Sequence, residues 1–116
     1  MANNPVDRYT TQHYTWGNNC DSWVLADTEG LSVKQESMPA GATDKLHFHN
    51  QAQQFFFLLK GTATFYCEAN KDILSEQQGI KIPPNSKHFI ANENSSPPEF
   101  LVSSQPGTNN DKTTID

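Results

Sequence analysis

No window of this chain carries an apolar stripe of helical period, and turn signals interrupt it at short intervals. They fall at Glu29-Gly30, Pro39 to Gly41, Lys60-Gly61, Ala69-Asn70, Gln78-Gly79, Pro83 to Asn85 and Ser95 to Pro98. The runs between them have the length of strands, and many short strands at such spacing specify an all-β sandwich or barrel. The strands read as Ser22–Ala26, Leu31–Met38, Lys45–His49, Gln54–Lys60, Thr62–Cys67, Asp72–Leu74, Gly79–Ile82, His88–Asn92 and Phe100–Ser104.

A length of 116 residues gives one compact domain and no second core. Residues 1–12 and 106–116 are polar and read as loosely held tails, which leaves 13–105 as the domain. The net charge of −5 and the lack of any Lys or Arg run argue against nucleic acid or an anionic membrane surface as partner. The first thirty residues hold no continuous apolar stretch, so neither a signal peptide nor a membrane span is expected, and a cytosolic location follows by default. Cys20 and Cys67 could form at most one disulfide, and without an export signal they read as two thiols.

Alternation sets the expected faces. Leu31 and Val33 share one side of their strand and Ser32 and Lys34 the other, so that strand is expected to be half-buried on the Leu31 side. Phe55 to Leu59 is apolar on both sides and needs cover on both. One side can face the barrel interior. The other requires the N-terminal segment with Tyr14, Trp16 and Trp23, or a second subunit, and a homodimer is the expectation. These aromatic residues and Tyr66 read as core or interface before substrate contacts.

Three of the four histidines form the arrangement that carries chemistry. His47 and His49 are two apart on a strand and so point to one face, away from Leu46 and Phe48. Two imidazoles on an inward face are costly unless something binds them, and a transition metal supplies the reason. Gln54 heads the next strand on the face of Phe56 and Leu58. Its carbonyl oxygen needs a partner there, either the metal or a ligating His. His88 follows the turn at Pro83 to Lys87. His13 reads as a surface or subunit-contact residue, and Asp44 and Lys45 as a solvated loop.

These residues resemble the two signature motifs of the cupin superfamily. The first reads Gly41, five residues, His47-x-His49, four residues, Gln54, six residues, Gly61. The second reads Pro83-x-Asn85-x-x-His88-x-x-x-Asn92, preceded by Gly79. The resemblance is to the small, single-domain, RmlC-like members. It implies a double-stranded β-helix, a jelly-roll barrel of six to nine antiparallel strands, with a divalent metal (Zn, Ni, Mn or Fe) inside near one end. The implied ligands are His47, His49, His88 and Gln54. Three departures stand out: Gln54 where most metal-binding cupins have Glu, Asn85 in place of the usual Gly, and Gly79 set closer to Pro83 than is common.

Three neutral imidazoles and a neutral amide leave a bound ion its full positive charge, which favours an anionic ligand. The set resembles that of the pectin-degradation cupins, which open unsaturated uronic acids. Those enzymes also use an acidic residue and an Arg on or after the last strand. Here Leu101 to Gly107 holds neither, and Arg8 is the only arginine. The superfamily hosts many reactions, so the fold does not select one. The order of expectation is an isomerase or lyase acting on an anionic or enolisable sugar acid, then a metal-dependent dioxygenase, then a non-catalytic binding or sensing protein.

Overall fold

The computed structural model describes residues 4–115; Met1 and Asp116, at the ends of the expected tails, lie outside them. Among the described residues the chain forms strands and no helix, and none is therefore long and apolar enough to cross a membrane. The strands are β1 (His13–Trp16), β2 (Cys20–Asp27), β3 (Ser32–Ser37), β4 (His47–Phe48), β5 (Gln53–Lys60), β6 (Ala63–Cys67), β7 (Asn70–Leu74), β8 (Gly79–Ile82), β9 (His88–Ala91), β10 (Glu99–Gln105) and β11 (Thr113–Thr114). They build a six-stranded sheet, β1-β2-β3-β10-β5-β8, and a five-stranded one, β11-β4-β9-β6-β7. All pairings are antiparallel, and the two sheets enclose the barrel interior of a double-stranded β-helix.

All nine expected strands are present, with Lys45–His49 reduced to His47–Phe48. Two more strands, β1 and β11, were not among those expected. β1 lies just inside the domain's expected start. β11 belongs to the expected C-terminal tail, and that expectation is corrected here. Thr113 and Thr114 pair with Phe48 and His47, and the Ile115 N–H donates to the Leu46 carbonyl. A polar segment can dock in this way because backbone hydrogen bonds, not apolar side chains, hold it. The N-terminal segment is also tied down, by the Arg8–Glu99 ion pair at 3.0 Å and the Val24 N–H bonded to the Gln12 carbonyl.

The apolar core occupies one part of the barrel. Phe56 sits at its centre, edge-on to Phe65 at 5.0 Å and tilted against Phe100 at 6.1 Å, with Met38, Leu58, Ile82 and Ile90 around them. Asn92 of the second motif is buried beside this core. Its amide donates to the Met38 and Ser96 carbonyls, and its oxygen accepts the Asn94 N–H. Gly79 has a packing reason: a Cβ there would lie 2.4 Å from the Phe55 ring. Asn85 takes the left-handed turn, φ 67°, that a glycine would otherwise supply.

One face assignment changes, and one expected cover is missing. On β3 it is Ser32 that is buried, while Leu31 is 44% exposed, so the polar side of this strand faces inward. Burying that side is tolerable because it lines a cavity, as described below. On β5, Gln54, Phe56 and Leu58 face in as expected, and Phe55 is 45% exposed. The aromatic N-terminal hairpin does not cover it, since β1 and β2 lie at the opposite end of the sheet from β5.

Phe100 is fully buried among Phe56 and its neighbours. Phe100→Ala should cost about 3–5 kcal/mol of folding stability in denaturant titration; a loss below about 1 kcal/mol would mean that the core lies elsewhere.

Candidate metal centre

β4 and β9 are neighbours in register, and His47 is paired directly with His88. His49 follows one residue beyond β4, where Phe48 has turned outward and left both imidazoles on the inner side. The three rings converge, with centroids 4.4 Å apart for His47 and His88, 5.1 Å for His47 and His49, and 5.7 Å for His49 and His88. All three are buried, and one ring nitrogen from each lies within 4.8 Å of the other two. Three histidines are thus positioned to bind one metal ion.

Which nitrogen faces the centre follows from the hydrogen bonds. Nδ1 of His47 lies 2.7 Å from the Lys45 carbonyl, Nδ1 of His49 lies 2.9 Å from the Asp111 carbonyl, and Nδ1 of His88 lies 2.8 Å from the Ser86 carbonyl. A carbonyl oxygen only accepts, so each Nδ1 carries the proton and each Nε2 presents a lone pair. Nε2 of His49 is buried with no partner. Gln54 donates its amide to Ser104 Oγ at 3.1 Å, which turns its carbonyl oxygen toward Nε2 of His88 at 3.2 Å. Two acceptors then face each other, an arrangement that a shared cation relieves. The donor set fits a divalent transition metal held by His47, His49 and His88, with Gln54 Oε1 beside it.

Burial also prepares the ligands. Desolvation lowers the pKa of His47 to about 4, and it lowers those of His49 and His88, against the smaller opposing effect of their carbonyl partners. Neutral imidazole is the form that binds metal.

The loop after β4 is clamped from the far end of the chain. The Asp111 carboxylate accepts the N–H groups of Asn50, Gln51 and Ala52, which holds it below the usual carboxylate range against its desolvation. The same residue's carbonyl orients His49. Asp111 therefore belongs to the site, and a polar segment with no apolar pattern gave no sign of it.

A cavity of about 260 Å³ opens beside the histidines. Besides Gln54 and Ser104 it is lined by Lys34 and Glu36 of β3, Tyr14 and Trp16 of β1, Asp44, and Lys112. Asp44 is not a solvated loop residue. Its side chain is 14% exposed and reaches 3.4 Å from Nδ1 of His47 and 3.9 Å from Lys112 Nζ. Tyr14 and Trp16 face the cavity, whereas Trp23 lies outside under the Arg8 guanidinium at 5.1 Å. His13 is exposed and pairs with Asp21, and both cysteines are free thiols. The one signal in the sequence that could have found Lys34 and Glu36 was their alternation with Ser32, a polar stripe on a strand that was assigned outward.

The match to the Cupin domain family covers residues 34–104, more than half of the chain. The protein is a cupin. The alginate biosynthesis protein AlgA of Pseudomonas syringae pv. tomato is 32% identical over 87 residues, 74% of this chain but only 17% of that protein. This chain thus spans under a fifth of the length of such relatives. An RmlC-like cupin from Shewanella frigidimarina superposes with a TM-score of 0.83 at 14% identity, covering 94% of this chain and 96% of that one. KdgF from Halomonas sp. superposes with a TM-score of 0.77 at 16% identity, covering 85% and 91%. At these identities the likeness defines the fold.

The lowered histidine pKa values move the pH window of proton competition. With ordinary imidazoles, metal affinity would fall below about pH 6. Here the folded apo site stays unprotonated further down, so zinc affinity should hold to below pH 6 and decline toward the value of about 4 set by His47. Zinc titrations across this range test it. A decline centred near pH 6.5, or none at all down to pH 4, would contradict the assigned environment.

Proposed function

We propose that this cupin is a metal-dependent, small-molecule enzyme, an isomerase or lyase that acts on an anionic sugar acid. The observation that carries the proposal is the convergence of three Nε2 lone pairs with the carbonyl oxygen of Gln54, all neutral donors, beside a cavity that also holds Lys34 and Lys112. His47, His49, His88 and Gln54 would hold a divalent ion such as Zn, Ni, Mn or Fe. When bound, such an ion supplies Lewis-acid polarisation of a carbonyl or carboxylate. Lys112 is balanced by Asp44 at 3.9 Å, so the charge that favours an anionic ligand is that of the bound ion with Lys34 beside it. The three-His, one-Gln set resembles that of the pectin-degradation cupins, and the arginine those enzymes place after the last strand has a counterpart in charge here, from Lys34 on β3. Two free thiols suit a reducing compartment, and the proposed location is the cytosol.

The proposal includes a homodimer. The β5–β10 register sets Leu101 beside Phe57 and Ser103 beside Phe55 on the outer face, and Phe55 and Phe57 stack with centroids 6.4 Å apart. Phe55 is 45% exposed there. Pairing of two copies over this patch removes it from water. Sedimentation at micromolar protein should give a dimer that Phe55→Lys dissociates; a wild-type monomer would refute the assembly.

The functional test uses 4,5-unsaturated uronate made by lyase digestion of polygalacturonate. Wild type should carry about one metal ion per chain by elemental analysis and consume the uronate. Gln54→Glu should retain the metal and lose about tenfold or more in turnover, because an anionic ligand weakens the Lewis acid and repels the substrate carboxylate. Metal-free wild type, or uronate left unconsumed by the metal-loaded protein, would sink the reading. Equal turnover by the two proteins would remove Gln54 from the site.

A further inference from the structure

The cavity contains an acidic group that the metal centre does not use. Glu36 lies on the inward face of β3, directly across from Ser22 of β2 in the strand register, and lines the same cavity as the histidines and Gln54. Beside it the indole N–H of Trp16 is buried without a partner, and Trp16 lines the same cavity. The Glu36 carboxyl and the unpartnered Trp16 indole N–H thus line one cavity together. They are disposed to meet a bound molecule.

We propose that Glu36 is the residue that carries protons to and from the substrate in this cavity, opposite an anionic group held at the histidine centre. The inference rests on the functional reading above, because it takes a metal-anchored anion as its ligand. In the step assigned to Glu36, the carboxylic acid gives its proton to an electron-rich substrate carbon; the O–H bond breaks, a C–H bond forms and the carboxylate remains. The hemiacetal hydroxyl of the same substrate ring returns a proton to the carboxylate as its C=O bond forms and the ring C–O bond breaks. The released ring oxygen becomes a second C=O as the C=C bond is consumed. The sum is an isomerisation, with nothing oxidised or reduced.

The surroundings suit that task. Burial raises the Glu36 pKa to about 7, with the Ser22 hydroxyl and Lys34 pulling it partly back, so both proton states are available near neutrality. The groups that act on it are Lys34 on its own strand, Cys20 across on β2, and Asp44 and Lys112 beyond, with the three histidines on the facing sheet. Asp44 pushes the carboxyl the same way as burial, and Lys112 opposes it. Because the folded pKa lies above the unfolded one, the group favours folding at low pH and loses that contribution as pH rises through about 7. Glu36→Gln, which mimics the protonated acid, should therefore fold as well as wild type and resist denaturant better above neutrality.

The test uses zinc-loaded wild type and Glu36→Gln with oxalate as the probe anion. Calorimetric titration near pH 7 in buffers of different ionisation heat reads proton uptake on binding. Wild type should take up a substantial fraction of a proton, since an anion placed before Glu36 raises its pKa, and Glu36→Gln should lose most of that uptake while binding the same amount of zinc. Turnover of the unsaturated uronate by Glu36→Gln should fall about 100-fold or more, with KM changed only a few-fold. Equal proton uptake or equal turnover in the two proteins overturns the role of Glu36 and leaves the metal reading intact. Zinc-loaded wild type that does not bind oxalate overturns both.

Discussion

Three hydrogen bonds of one kind set up this protein's chemistry: Nδ1 of each central histidine donates to a backbone carbonyl, from Lys45, Asp111 and Ser86. Each bond fixes a ring's tautomer and orientation together, which leaves Nε2 bare and aimed inward. Burial adds the electrostatic part by disfavouring imidazolium, most strongly at His47. The ligands are thus neutral and oriented by the fold before any metal arrives, and little reorganisation is left for binding to drive.

The cost of that arrangement explains the rest of the barrel. Imidazoles gathered with bare, converging lone pairs cannot be packed like a hydrophobic core, so the interior is divided. Phe56, Phe65, Phe100 and Leu58 fill one region densely, and the Phe56 ring, 6.5 Å from that of His88, forms its boundary with the site. The remainder is left as a polar cavity lined from β1, β3 and the returning C-terminal segment. The short strand β4 and the loop after it would be poorly held without that segment. β11 supplies the missing backbone partner, and the Asp111 carboxylate takes up three N–H groups that the loop leaves free.

How much of this was readable in the sequence divides along the same line. Strand positions and the convergence of His47, His49 and His88 were readable, because period-2 alternation and the spacing within each motif are local properties. Gln54 was readable as an inward polar residue on an apolar strand, although its bond to Ser104 depends on the β5–β10 register. Lys34 was misassigned, and Glu36 on the same side went unread, because the usual rule sends polar residues outward, and that rule inverts where a barrel keeps an open interior. Asp44, Asp111 and Lys112 left no pattern at all. Their roles come from long-range returns of the chain, held by backbone bonds that any polar sequence could make.

The central claim is that backbone carbonyls pre-set all three imidazoles to bind metal through Nε2. Histidine-selective ¹⁵N–¹H correlation spectra of the protein, recorded before and after one equivalent of zinc, test it most directly. Before zinc, His47, His49 and His88 should each show a protonated Nδ1 and a bare Nε2. After zinc, all three Nε2 resonances should shift while every Nδ1–H persists. A histidine of the trio whose Nε2 holds the proton in the apo protein, or whose resonances ignore the metal, would contradict the account.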